Sequence, residues 1–102
     1  MSSEIEDLAE NIIDMIKENF PGIDLVNAQV LTTVEEAGEF AGAYRRWAGM
    51  ARRTGTRDEM ELEWADVVIA AYCAAKVLNI DVKAALARKA EIILSRGWKD
   101  PR

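Results

Sequence analysis

The sequence predicts an all-α domain, and three observations lead there. Apolar residues recur at three- and four-residue spacing in four segments, each preceded by a residue that caps helices well. No segment alternates apolar and polar residues long enough to make a convincing strand. Two prolines and six glycines in 102 residues are too few for an all-β chain, which turns about every ten residues.

Ser3-x-x-Glu6 is a capping box, and Ile5, Leu8, Ile12, Met15 and Ile16 follow at helical spacing, so a first helix begins there and ends at Pro21-Gly22. Asp24 caps a second helix running to about Gly49, with Val30, Val34, Ala37, Ala41, Tyr44 and Ala48 along one apolar stripe. Gly49 to Asp58 is a polar, arginine-rich connection. Thr56-x-x-Glu59 is a second capping box and opens a third helix through about Leu78. Asp81 caps a fourth, from about Val82 to Ser95, and Gly97 suits its C-terminal stop. Lys99 to Arg102 read as a tail. The length fits one domain, residues 1–102.

Composition narrows the chemistry. Half of the residues are apolar and 30% are charged, which is globular rather than disordered. The absence of histidine removes His-activated nucleophiles, His-ligated zinc and di-iron bundles built on Glu-x-x-His. A single cysteine, Cys73, cannot form an internal disulfide, and a reducing, cytoplasmic compartment is expected. There is no apolar run long enough for a membrane span, and the acidic start of the chain is not expected to be a secretory signal. A net charge of −5 argues against binding a nucleic-acid polymer. Charge alternates in blocks: −9 over residues 1–39, +5 over 40–57, −5 over 58–81 and +4 over 82–102. Such blocks fit solvated helix faces that pair with one another, or a site where carboxylates hold a metal while cations hold a polyanion.

Polar residues on apolar stripes bear on that choice. At about 100° per residue, Asp66 falls between Leu62, Ile69, Ala70, Cys73 and Val77, in the middle of the third helix's buried stripe, with Glu63 on the edge. A buried carboxylate needs a cation, a metal or a proton. On the second helix, Glu36 borders the stripe beside Phe40 and Ala43, and Glu39 faces further out with Glu35 nearby. Glu36-x-x-Glu39 and Glu63-x-x-Asp66, packed antiparallel, are therefore expected to bring four carboxylates together. An oxygen-only set selects Mg²⁺ or Mn²⁺ over zinc or copper. A lone Glu-x-x-Glu is ordinarily a solvated face; two on consecutive helices strengthen the metal reading. On the fourth helix Lys89 and Arg96 share a line with Val82, Ala85, Leu86, Ile92 and Ile93. They either snorkel or pair with Asp66 or Glu63, or they contact phosphate oxygens.

The run Val34-Glu35-Glu36-Ala37-Gly38-Glu39-Phe40, with Glu63-Trp64-Ala65-Asp66, resembles the E-E-x-x-E … E-x-x-D signature of the MazG-like all-α nucleoside triphosphate pyrophosphohydrolases. Leu78-Asn79-Ile80-Asp81-Val82 is similar to that family's loop into its last helix, and Lys89 and Arg96 match its basic positions there. The resemblance spans about Asn27 to Trp98. It implies a four-helix bundle completed by oligomerisation, as a dimer or a tetramer of two dimers. It also implies Mg²⁺-dependent hydrolysis of a (deoxy)nucleoside triphosphate to monophosphate and pyrophosphate, a clearing of the nucleotide pool. Carried over, Glu36, Glu39, Glu63 and Asp66 are the metal ligands, and Lys89 and Arg96 the phosphate contacts. The family often carries Asn four residues after the lysine, where this chain has Ile93, so base and sugar preference do not transfer.

Within that reading Glu35 is the candidate for positioning the attacking water or a second ion, or else a surface glutamate. Trp47, three turns beyond Glu36, is either a stacking platform for the base or part of a core or dimer interface. Arg45, Arg46, Arg52, Arg53 and Arg57 either close on the polyphosphate or pair with the acidic first helix. The first helix carries Ile12, Ile13, Met15 and Ile16 around more of its circumference than one neighbour covers, so a homodimer is expected. Two alternatives remain: a phosphoribosyl-ATP pyrophosphohydrolase, and a noncatalytic helical dimer that binds a nucleotide or a partner.

Overall fold

The four capping residues start four helices in the computed structural model, which describes residues 3–97. They are α1 (Glu4–Asn19), α2 (Leu25–Trp47), α3 (Arg57–Val77) and α4 (Val82–Arg96), and no strand occurs among the described residues. Each predicted N-cap oxygen accepts a backbone N–H three residues on: Ser3 from Glu6 at 3.2 Å, Asp24 from Asn27 at 3.2 Å, Thr56 from Glu59 at 3.1 Å and Asp81 from Ala84 at 3.0 Å. Gly97, at φ 70°, follows α4 in the left-handed region, as its predicted stop requires. Trp98, at the end of the family resemblance, and the Lys99–Arg102 tail lie outside the described residues.

Two other helix ends also carry a residue of positive φ, and there hydrogen bonds close the end. After α2 the Met50 N–H donates to Arg45 O at 2.8 Å and Gly49 N–H to Arg46 O at 3.4 Å; Gly49 has φ 78°. After α3 the Ile80 N–H donates to Ala75 O at 2.9 Å and Asn79 N–H to Lys76 O at 3.3 Å, with Asn79 at φ 55°. Both are Schellman motifs, which satisfy carbonyls left open at a helix end.

α3 is the central helix. It packs on α2 on one side and on α1 on the other, and these are the two substantial helix contacts. Ala9 and Ile13 of α1 meet Cys73 of α3, with Ile12, Leu25, Ile69, Tyr72 and Val77 around them. Burial pushes the Cys73 thiol above its ordinary pKa, so it serves here as a small apolar side chain. Ala43 of α2 and Met60, Ala70 and Ala75 of α3 are the other buried apolar residues among those described.

Two features depart from the pattern the sequence suggests. The apolar stripe of α2 faces outward: Val30, Val34, Ala37, Ala41, Tyr44 and Ala48 are all exposed. The covered face instead runs through Leu25, Ala28, Gln29, Thr32, Thr33, Glu36, Phe40 and Ala43. Its hydroxyls are satisfied locally, Thr32 donating to Ala28 O at 2.7 Å and Thr33 to Gln29 O at 3.1 Å. The second departure is α4, which buries none of its residues and leaves Leu86, Ile92 and Leu94 exposed. The Cα radius of gyration is 16.4 Å, against about 13 Å for a compact domain of 100 residues. The bundle is open within one chain.

Candidate functional site

Antiparallel packing of α2 on α3 places the two acid pairs opposite one another. Glu36, Glu39 and Glu63 each bring one carboxylate oxygen to within 4.8 Å of the others. Glu36 and Glu63 are half-buried, and one oxygen of each is fully covered and has no hydrogen-bond partner. An unpaired buried carboxylate oxygen is costly, and three negative charges at this spacing repel. Burial first, then the charges of Glu39, Asp66 and Glu63, raises the Glu36 pKa above its ordinary 4.5. Two remedies exist for such a group: protonation, or a cation that takes up the free oxygens.

Asp66 is not where the stripe argument put it. It is exposed, as is Leu62, and it is not among the three converging carboxylates. The inward line of α3 in this half runs through Met60, Glu63, Val67 and Ala70, so Glu63 is the acid that points toward α2. The cause is that α3 serves two neighbours. The stripe through Ile69, Cys73 and Val77 faces α1, while α2 takes a line about 100° around the helix from it. Asp66 still stands close enough for its charge to act on Glu36.

The cluster opens onto a cleft of about 620 Å³ lined by Glu35, Gly38, Glu39, Gly42, Arg46 and Glu63. Glu35 is exposed at its wall. Gly38 and Gly42 lie on the same line of α2 as Glu35, Glu39 and Arg46, and a Cβ at Gly38 would meet nothing within 4 Å. The missing side chains keep room over the carboxylates. Sequence reasoning passed over both glycines, although their i, i+4 spacing on the acidic face was a readable signal.

The remaining site candidates fall elsewhere. Trp47 is 40% exposed, with its ring centroid 6.1 Å from that of Tyr44 and the Arg57 guanidinium over its face at 5.0 Å. Arg57 also pairs with Glu61 at 2.9 Å, so it is spent locally on the start of α3. Lys89 and Arg96 are exposed on α4, do not line the cleft, and form no ion pair among the described residues. An ion pair of Lys89 or Arg96 with Asp66 or Glu63, one of the alternatives their spacing left open, does not form among the described residues. Among the described residues no arginine of residues 45–57 forms an ion pair with α1, whereas Lys76 stands 3.6 Å from Glu10.

Comparison with protein-family models, with curated proteins and with solved structures finds no match to this chain. No helix among the described residues is long and apolar enough to cross a membrane.

Proposed function

We propose that this chain is a MazG-like nucleoside triphosphate pyrophosphohydrolase, dependent on Mg²⁺ (or Mn²⁺), acting in the cytoplasm as a homodimer or a tetramer of dimers. The observation that carries the reading is the convergence of Glu36, Glu39 and Glu63, with orphaned oxygens on Glu36 and Glu63, beside an open cleft that Glu39 and Glu63 line. An all-oxygen, all-carboxylate donor set fits a hard divalent cation. Glu36, Glu39 and Glu63 would hold it, with Asp66 beside them. Such an ion supplies charge neutralisation on phosphate oxygens and a more acidic bound water.

The chain's own residues do the rest. Glu35, at the cleft wall, accepts a hydrogen bond from the attacking water and directs it at the α-phosphorus. Attack there releases pyrophosphate and leaves the monophosphate. Gly38 and Gly42 leave space for the substrate.

Oligomerisation is supported by what one chain leaves uncovered: the α2 stripe from Val30 to Tyr44, and Leu86, Ile92 and Leu94 of α4. A second copy laid on these surfaces would cover them, and the reading needs such a copy for Lys89 and Arg96 to reach a cleft. The position of α4 also favours a second reading, a helical dimer that binds a nucleotide without turning it over. Incubation with each labelled (deoxy)nucleoside triphosphate and with phosphoribosyl-ATP in Mg²⁺, with products resolved on a thin-layer plate, tests the reading. Monophosphate and pyrophosphate support it, a preference for phosphoribosyl-ATP reassigns the substrate, and diphosphate or no product overturns it.

A further inference from the structure

Beside the carboxylate cleft, and sharing Gly42 and Arg46 with it, lies a second pocket of about 290 Å³ lined by Gly42, Arg45, Arg46, Ala51, Arg52 and Arg53. Four of its six lining residues are arginines and none is acidic. None of these arginines forms an ion pair among the described residues, and the carboxylates that share a wall with Arg46 (Glu35, Glu39 and Glu63) line the neighbouring cleft rather than this pocket. Like charges gathered without counter-charge raise the free energy of the empty pocket and favour an anion in it.

The loop is built to hold this arrangement. The Schellman motif fixes its start on Arg45 O and Arg46 O, and the Gly55 N–H returns to Arg46 O at 3.3 Å, so both ends close on one residue. A Cβ at Gly55 would stand 3.0 Å from Arg46 Cβ, a tight contact that glycine avoids where the returning backbone lies against Arg46. Arg46 Nε and a Glu59 carboxylate oxygen both flank Gly55 without forming an ion pair. The backbone N–H groups of Ala51 to Thr54 make no hydrogen bond among the described residues, which leaves further donors at the rim.

We infer that the Arg45–Arg46–Arg52–Arg53 pocket is a polyphosphate-binding subsite, continuous with the carboxylate cleft through Arg46. Guanidinium groups match phosphate oxygens in fork geometry. The shared wall lets one extended anion reach from the carboxylates into the arginines. That the anion is the tail of a nucleoside triphosphate rests on the function proposed above; the capture of polyphosphate does not.

The test is calorimetric titration of the full chain with inorganic triphosphate in EDTA, compared with orthophosphate and a single-stranded oligonucleotide. The wild type is expected to bind triphosphate at least about 10-fold more tightly than orthophosphate. The R52Q/R53Q double variant, altered only at exposed loop positions, is expected to lose on the order of 10-fold or more with an unchanged helical circular dichroism spectrum. Glu63→Gln should leave triphosphate binding in EDTA intact or tighten it. Triphosphate affinity that R52Q/R53Q does not alter, or an oligonucleotide that binds more tightly than triphosphate, overturns the inference. Failure of the hydrolase reading looks different: triphosphate binds through the arginines, yet nucleoside triphosphates are not turned over in Mg²⁺.

Discussion

Replacing Glu63 with glutamine removes one charge from a group in which three carboxylate oxygens stand within 4.8 Å of one another. Coulomb's law at that 4.8 Å separation gives about 0.9 kcal/mol per pair at the dielectric constant of water and about 3.5 kcal/mol at an effective value near 20. The cluster opens to the cleft on one side, so the lower figure sets the scale. Relief of two such repulsions, less some loss of fit at the amide, comes to about 1 kcal/mol, or about 4–8 °C in Tm for a domain of this size. The amide N–H₂ also places a hydrogen-bond donor within 4.8 Å of a Glu36 carboxylate oxygen. Without metal, E63Q is therefore expected to melt above the wild type. In Mg²⁺ the order reverses, because an ion at 100 times its Kd adds about 2.7 kcal/mol to the wild type and the variant lacks one ligand. Thermal melts of both proteins in EDTA and in millimolar Mg²⁺ decide the matter. An E63Q protein that is less stable in EDTA, or curves for the wild type that are identical in both buffers, would refute this account of the cluster.

Three further outcomes follow from the same geometry. The Glu36 pKa is raised in the folded protein, so its contribution is fully present below the ordinary 4.5 and lost as pH rises through the raised value; metal-free wild type should thus lose stability across that window relative to Glu36→Gln, as paired denaturant melts in EDTA would show. Asp66→Asn, at an exposed position, should leave the fold intact in circular dichroism while lowering turnover by about 10²-fold or more in a steady-state assay. Val34→Asp, on a side chain 70% exposed in the single chain, should shift light-scattering mass toward the monomer at unchanged helix content; an unaltered mass would remove the α2 stripe from the interface.

The helices were legible in the sequence because their signals are local. Ser3, Asp24, Thr56, Asp81 and Gly97 each act within one turn, and each does in the structure what its residue type demands. The convergence of Glu36, Glu39 and Glu63 was legible too, since it needs only two acid pairs on antiparallel neighbours. What periodicity could not supply was which neighbour covers which face. Asp66 sits in the middle of an apolar stripe by angle, yet α3 packs on two helices, and the line toward α2 passes through Glu63 instead. The α2 stripe marks residues that benefit from cover, without saying whether the same chain provides it; within one chain it does not. The arginines at 45, 46, 52 and 53 were visible as a charge block, but the pocket they line depends on a loop that folds back onto Arg46 through Gly55.

The central claim is that water attacks the α-phosphorus of a nucleoside triphosphate held over the carboxylate cluster. Turnover in ¹⁸O-enriched water, with products read by ³¹P NMR, tests it most directly. The account predicts the heavy oxygen in the nucleoside monophosphate and none in the pyrophosphate. Label in pyrophosphate or in orthophosphate, or substrate unchanged after prolonged incubation with Mg²⁺, would contradict it.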